Sequence, residues 1–327
     1  MIIFFDLEGP LCPIDHAADV LATIGKSLGK QEDFYQLFKM ISLYDDELFL
    51  VDRKKDYWPG DTLKLIAPII VSYGDEELLL EISQNAELTP GAKKLFDYLH
   101  EEKVPAYIIS TSYTQHAHTI ARKLAHPIEN VRCTTLDFHL KPKDTSLLNE
   151  LFEEIFPKYL REGLPAVKSE LDRFFFEKMP QSPFGALFQR TIVCGGGRKR
   201  KYVKDILASL GKRADEAIAV GDSITDIQML EFVRDNGGLA VSFNGNEYSL
   251  KPATVAYSGR SIEGLINLFR SFPDYEQFIK GLPEEEMAQR EVFYDLLHEL
   301  NSEDFQNVLN RQKKYRKILR QKAASLT

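Results

Sequence analysis

Ile2-Ile3-Phe4-Phe5 runs straight into Asp6-Leu7-Glu8-Gly9-Pro10, and this opening constrains the fold more than any other stretch. A short apolar run bounded by turn residues reads as a buried strand, so two carboxylates one residue apart stand where that strand ends. In open α/β sheets ligands bind at that edge; the plainer reading is an acidic surface turn. Ala217-Ile218-Ala219-Val220-Gly221-Asp222-Ser223-Ile224-Thr225-Asp226 repeats the pattern, with an apolar strand, a glycine and two acids four apart. Asp6, Asp222 and Asp226 are thereby placed to share one hard cation. Mg²⁺ favours such oxygen ligands and keeps water and substrate phosphate in its shell. The plainer reading of Asp222 and Asp226 is capping of the following helix.

The rest of the chain alternates in the way a parallel sheet with crossover helices requires. Leu88-Thr89-Pro90-Gly91 punctuates, a helix follows to about 103, and a strand over 104–109 ends in Ser110-Thr111-Ser112. A helix over 114–124 comes next, and strands and helices alternate again from 191 to about 257. Two segments interrupt the pattern. Residues 14–86 read as helical, with Ala17, Val20, Leu21, Ile24 and Leu28 at helical spacing and Asp61 and Asp75 placed as N-caps. Residues 143–190 form a second, aromatic-rich helical insertion. Beyond Phe272 the pattern is helical to the end. The expected organisation is an α/β core over 1–13 and 88–272 carrying the insertion 143–190, a helical cap over 14–87, and a C-terminal helical extension over 273–327.

A chain of 327 residues with 44% hydrophobic and 28% charged residues has the composition of a soluble globular protein. The net charge of −8 disfavours binding to nucleic acid or an acidic membrane through bulk charge. Cys12, Cys133 and Cys194 are isolated and odd in number, which argues against a disulfide framework or a thiolate zinc site. No apolar run reaches membrane-spanning length, and the first residues lack the basic start and long apolar core of a secretory signal. A cytoplasmic location is the expectation.

Four motifs in order carry a resemblance. They are Phe5-Asp6-Leu7-Glu8-Gly9, the strand Tyr107-Ile108-Ile109 ending in Ser110, a lysine before a helix within Gly197-Arg198-Lys199-Arg200-Lys201, and Gly221-Asp222-Ser223-Ile224-Thr225-Asp226. The set resembles the haloacid dehalogenase (HAD) superfamily, mostly phosphatases acting through an aspartyl-phosphate. It covers roughly residues 1–13 and 88–270. Ser110-Thr111-Ser112-Tyr113 and Phe243-Asn244-Gly245-Asn246-Glu247-Tyr248 are similar to an archaeal branch, some of whose members are labelled subunits of an energy-converting hydrogenase. The resemblance implies a Rossmann-like parallel sheet with an inserted cap, and an Mg²⁺ cofactor. It implies Asp6 as nucleophile and Glu8 as general acid and then base. Ser110, Thr111 and Lys199 would hold the phosphate, and Asp6, the Glu8 backbone carbonyl, Asp222 and Asp226 would hold the metal. Glu8 stands where most members have a second Asp, although an enolase-phosphatase branch also carries Asp-x-Glu-Gly. Pro10 replaces the usual Thr. Counting back from Leu210-Gly211 favours Lys199, with Lys201 as competitor.

Other features read more plainly. Gly195-Gly196-Gly197 lacks P-loop spacing. His116 and His118, two apart on a helix, do not face one ligand. The basic run 311–322 ends a helix that starts at Ser302 and is acidic in its first turn, an order that suits the helix dipole. Phe305, Val308, Leu309, Tyr315, Ile318 and Leu319 give that helix an apolar face, to be covered by the core, the cap, a second copy or a partner protein. The expected function is Mg²⁺-dependent hydrolysis of a small phosphorylated metabolite. The alternatives are a non-hydrolytic subunit or regulator of a larger complex, hydrogenase included, and another HAD chemistry such as phosphoryl transfer or carbon–halogen cleavage. Asp45, Asp46, Arg53, Lys54, Lys55 and Trp58 are the substrate contacts the cap offers, with a lid role expected for 14–86.

Overall fold

A computed structural model describes residues 1–321 and 323. Seven strands form one sheet: β1 (Ile2–Phe5), β2 (Ala106–Tyr113), β3 (Val131–Thr134), β4 (Ala217–Gly221), β5 (Leu239–Phe243), β6 (Val255–Gly259) and β7 (Val292–Leu296). Their order is β3-β2-β1-β4-β5-β6-β7. The pairings are parallel except β6 with β7, which is antiparallel. β1 is central because it is apolar on both sides: Ile3 and Phe5 enter one core cluster, and Ile2 and Phe4 the opposite one. Alternating side chains on a sheet covered on both faces require that. The carboxyl ends of β1, β2 and β4 therefore lie side by side.

The helices largely follow the sequence pattern. The cap opens with His16–Ser27, Gln31–Leu50, Thr62–Tyr73 and Glu76–Asn85. Asp15 caps the first of these through Ala18 N–H, and Asp75 caps the last through Leu78 N–H. Asp61 sits at the expected N-cap position but makes no capping hydrogen bond; its carboxylate instead pairs with Arg198 at 2.7 Å. Three expectations are corrected. Residues 191–196 form no strand; Cys194 N–H instead donates to Thr134 Oγ1 and Gly196 N–H to Thr225 O. The extension beyond Phe272 is not all helix, because β7 returns to pair with the sheet edge. The strand expected over 104–109 runs on to Tyr113, so Ser110 to Ser112 lie within it.

The aromatic insertion packs against the cap helices. Residues Ala17 to Leu79 and Leu148 to Phe188 share one hydrophobic cluster, apart from those on the sheet. Tyr44 stacks on Phe175 and donates to Asp172 Oδ1 at 2.6 Å. Lys168 pairs with Asp52 at 2.6 Å. The cap is thus built from two stretches that the sequence keeps far apart. No helix among the described residues is long and apolar enough to cross a membrane.

The tail helix (Ser302–Arg320) runs along β6, burying Val308 and Leu309 against Leu250 and Ala256. Gln312, fully buried, accepts from Gly245 N–H and donates to Ser258 Oγ at 2.8 Å. Residues four apart share a helix face, so Arg316 and Arg320 follow Gln312 across the carboxyl ends of the strands. Lys322 of the basic run lies outside the described residues.

Phe175→Ala is expected to cost about 3–5 kcal/mol, read by urea denaturation. A loss below about 1 kcal/mol would show that the two stretches do not depend on a common core.

Candidate active site

Asp6 follows β1 directly, and its N–H continues the ladder to Val220 O at 2.8 Å. Its Oδ1 accepts from Leu7 N–H at 2.7 Å. The next turn folds back on itself, with Leu11 and Cys12 N–H both donating to Leu7 O. Gly9 has φ +100°, and a Cβ there would fall 2.2 Å from Asp222 Oδ2. Only glycine lets the turn lie this close to the second acidic loop. Thr89 Oγ1 fixes Gly9 O at 2.9 Å.

Lys199 is fully buried near the start of the helix Gly197–Ser209. Its Nζ lies 2.7 Å from Asp6 Oδ1 and 2.7 Å from Asp226 Oδ1. Burial alone would strip its proton, but Asp226 and Asp6 raise its pKa above the usual lysine value. Lys201 is exposed and pairs with Asp205 at 2.6 Å, so of the two lysines only Lys199, the one favoured by the register counted from Leu210-Gly211, reaches Asp6. Asp226 Oδ2 accepts from the N–H groups of Asp222 and Ser223. Both Asp226 oxygens are therefore occupied with the loop and the lysine. Carboxylate oxygens of Asp6, Asp222 and Asp226 lie within 4.8 Å of one another.

Glu8 turns toward the cap. Its Oε1 accepts from Ser112 Oγ at 2.6 Å and from His16 N–H at 3.3 Å. Burial, with Asp15 nearby, pushes its pKa up to about 8. Asp6 is also pushed up to about 8, by burial first and then by Asp226, against the pull of Lys199. Ser110 is fully buried beside them, and its Oγ accepts from Ser112 N–H at 3.1 Å. Thr111 Cγ2 lies close to Gly60 of the cap, and its carbonyl accepts from Thr134 Oγ1 at 2.5 Å.

The tail helix supplies what sequence reading missed. Arg316 pairs with Asp222 Oδ2 and donates to Asp222 O at 3.2 Å. Arg320 Nη1 lies 2.9 Å from the same Oδ2. Asp222 Oδ1 is buried and has no hydrogen-bond partner. The signal in the sequence was Gln312, Arg316 and Arg320 at intervals of four, polar residues on a stripe that must be buried. Asp6, Asp15, Glu8, Asp222 and Asp226 face Lys199, Arg316 and Arg320, five carboxylates against three cations.

A cavity of about 80 Å³ opens beside Asp6, Glu8, Asp15 and Arg320, with Ser110 and Ser112 also on its wall. The cap covers it. Trp58 and Pro59 lie against Gly195 to Gly197, where a Cβ on Gly195 would fall 2.3 Å from Pro59 O. Asp45 and Asp46 line the cavity, and Asp45 accepts from Tyr57 OH and from Gly60 N–H. Arg53, Lys54 and Lys55 do not line it; they are exposed, with Lys54 over the Phe176 ring. His116 is buried and stacks on His16, away from any shared ligand with His118.

The fold has known counterparts. The solved structure of gene product AF1437 from Archaeoglobus fulgidus is 27% identical, with TM-score 0.85 over 99% of this chain and 97% of that one. A probable phosphoserine phosphatase from Vibrio cholerae shares the fold at TM-score 0.50 and 14% identity, covering 85% of this chain and 66% of that one. A phosphoserine phosphatase of Albidiferax ferrireducens is 32% identical over 78 residues, spanning 24% of this chain and about a third (31%) of that protein. A family model of haloacid dehalogenase-like hydrolases matches residues 81–255, more than half of the chain. With the Asp6 strand at the centre of the sheet and the Asp222 loop beside it, the chain belongs to the haloacid dehalogenase-like hydrolases.

Proposed function

We propose that this protein is a Mg²⁺-dependent phosphohydrolase that cleaves a small phosphorylated metabolite through an aspartyl-phosphate on Asp6. The observation that carries the reading is Asp6 Oδ1 at 2.7 Å from a fully buried lysine, at the carboxyl end of the central strand. Asp222 Oδ1, buried and unpartnered, fits a hard cation shared with Asp6, and the Glu8 carbonyl would complete the protein's share of ligands. Asp226 would act mainly by holding Lys199 and the loop. Bound Mg²⁺ supplies positive charge that offsets repulsion between the phosphate and the carboxylates.

In the first step an Asp6 oxygen bonds to phosphorus as the bond to the leaving oxygen breaks. Glu8, whose protonated form burial and Asp15 favour, gives its proton to that oxygen, while Lys199 and a bound cation would favour Asp6 as the carboxylate. In the second step Glu8 takes a proton from water, the water oxygen bonds to phosphorus, and the Asp6 carboxylate leaves. Ser112 and His16 N–H hold Glu8 in place for both. Ser110, Thr111 and Lys199 orient the phosphoryl oxygens.

Substrate choice falls to the cap. Asp15, Asp45 and Asp46 line the cavity, with Arg320 as the one basic residue on its wall among the described residues. Such walls favour a neutral or amine-bearing alcohol over one with a second anion. A volume of about 80 Å³ is well below the roughly 300 Å³ of usual ligand pockets. The Asp61–Arg198 pair and the Trp58 contact would have to open for entry. An uncovered apolar tail helix would favour the non-hydrolytic reading, and Val308, Leu309 and Tyr315 are buried within the chain itself.

Asp6→Asn, nearly isosteric, should abolish phosphate release from a panel of phosphorylated metabolites while the protein stays folded by circular dichroism. Activity near wild type would remove Asp6 from the nucleophile's role. Turnover should stop on adding EDTA and return with Mg²⁺, and Asp222→Asn should raise the Mg²⁺ concentration needed at least about tenfold; turnover indifferent to EDTA would contradict the metal assignment. Lys199→Ala should lower kcat/KM at least about a hundredfold, against less than about threefold for Lys201→Ala on an exposed turn. The opposite ranking in steady-state kinetics would reassign the lysine.

A further inference from the structure

We propose that Arg320, brought into the site by the tail helix, is a phosphoryl-binding residue, so that a segment outside the four motifs completes the phosphate site. The inference rests on the phosphohydrolase reading above and adds a residue to it.

Three observations converge. First, Arg320 lines the same cavity as Asp6, Glu8, Ser110 and Ser112, although it lies more than three hundred residues from Asp6 in sequence. Second, its side chain is only 4% exposed, yet Nη1 alone has a hydrogen bond among the described residues, to Asp222 Oδ2. Its Nε is buried without a partner. A guanidinium offers five donors in a planar fork that matches phosphate oxygens, and leaving most of them unused in a buried position is costly. Third, the other cation at the nucleophile is largely spent: Lys199 directs two of its three donors to Asp6 and Asp226. A phosphate dianion entering among Asp6, Glu8 and Asp15 needs a cation with free donors, and Arg320 is the basic residue on the cavity wall among the described residues.

The helix is built to hold this arginine still. Gln312, four residues before Arg316 and eight before Arg320, is locked between Gly245 N–H and Ser258 Oγ. Arg316 grips both the backbone carbonyl and the carboxylate of Asp222. Arg316 is thereby a positioning residue, and Asp222 joins the tail to the site. Because the arginines take Oδ2, Oδ1 stays open for a cation.

The test is calorimetric titration of the full-length protein with orthophosphate in the presence of Mg²⁺, beside titration with Mg²⁺ alone. Arg320→Gln should weaken orthophosphate binding about tenfold to a hundredfold while Mg²⁺ affinity without phosphate does not weaken. Arg320→Lys, which keeps the charge but loses the fork, should fall between the two and guards against loss of folding in the glutamine variant. Unchanged orthophosphate affinity in both variants overturns the proposal. So does Mg²⁺ binding that tightens tenfold or more with phosphate affinity intact, because the arginine would then be a competitor for the cation position. A wild-type protein that binds no orthophosphate would overturn the phosphohydrolase reading itself, whereas binding that survives Arg320→Gln overturns only the role of Arg320.

Discussion

The ammonium of Lys199 has no contact with solvent and survives there because two carboxylates meet it, each at 2.7 Å. Burying one charge without partners would cost several kcal/mol. Three charges that satisfy one another can persist only if the backbone holds all three in register. That requirement reaches through the fold. Asp6 must leave β1 beside β4, which makes β1 central. Asp226 must be turned back by the N–H groups of Asp222 and Ser223. The helix Gly197–Ser209 must start where the glycine-rich turn lets the cap loop lie on top of it.

The acidic surplus around this lysine is answered from three directions. The core contributes Lys199, and the tail helix contributes Arg316 and Arg320. A divalent cation, under the proposed function, contributes the remainder. Where carboxylates outnumber their partners, a proton is the readiest counter-ion, and Glu8, which has no cation in contact among the described residues, is raised to about 8 by burial and Asp15. The same field that holds a proton on Glu8 suits it to protonate a leaving group. The tail is therefore not an appendage: Gln312, Arg316 and Arg320 link β6 to the acidic loop that follows β4.

The cap shows a similar closure from separate pieces. Phe174, Phe175, Phe184 and Phe188 could not bury themselves within their own short, π-interrupted helices. They do so against Leu37, Tyr44 and Ile66 of the first insertion. Asp61, placed at a helix start, gave up capping for a partly buried ion pair with Arg198 that ties the cap to the core. A helix N-cap is replaceable by backbone geometry, whereas this pairing fixes a loop directly over the cavity.

Much of the core was written locally. Ile2 to Phe5 ending in Asp6, and Ala217 to Gly221 ending in Asp222, signal their strands because apolar runs bounded by turn residues have few other stable homes. The helix whose end is marked by Leu210-Gly211 favoured Lys199 over Lys201 without deciding between them. Asp75 announced its helix by a hydrogen bond made within three residues, whereas Asp61, placed the same way, makes no such bond. Long-range pairing left no such trace. Residues 191–196 look like a strand but spend their N–H groups on Thr134 and Thr225. β7 forms because the edge of β6 offers unpaired backbone groups, which its own sequence cannot reveal. Arg316 and Arg320 looked like dipole-matching charges at a helix end, since their partner Asp222 lies some ninety residues away. The sequence by itself determined that Asp6 and Asp222 follow buried strands and favoured Lys199 near a helix start, because those depend on neighbours along the chain. Only the tertiary structure decided that two arginines enter the acidic site and that two insertions make one cap, because buried charge and apolar surface are satisfied by whatever the fold brings near.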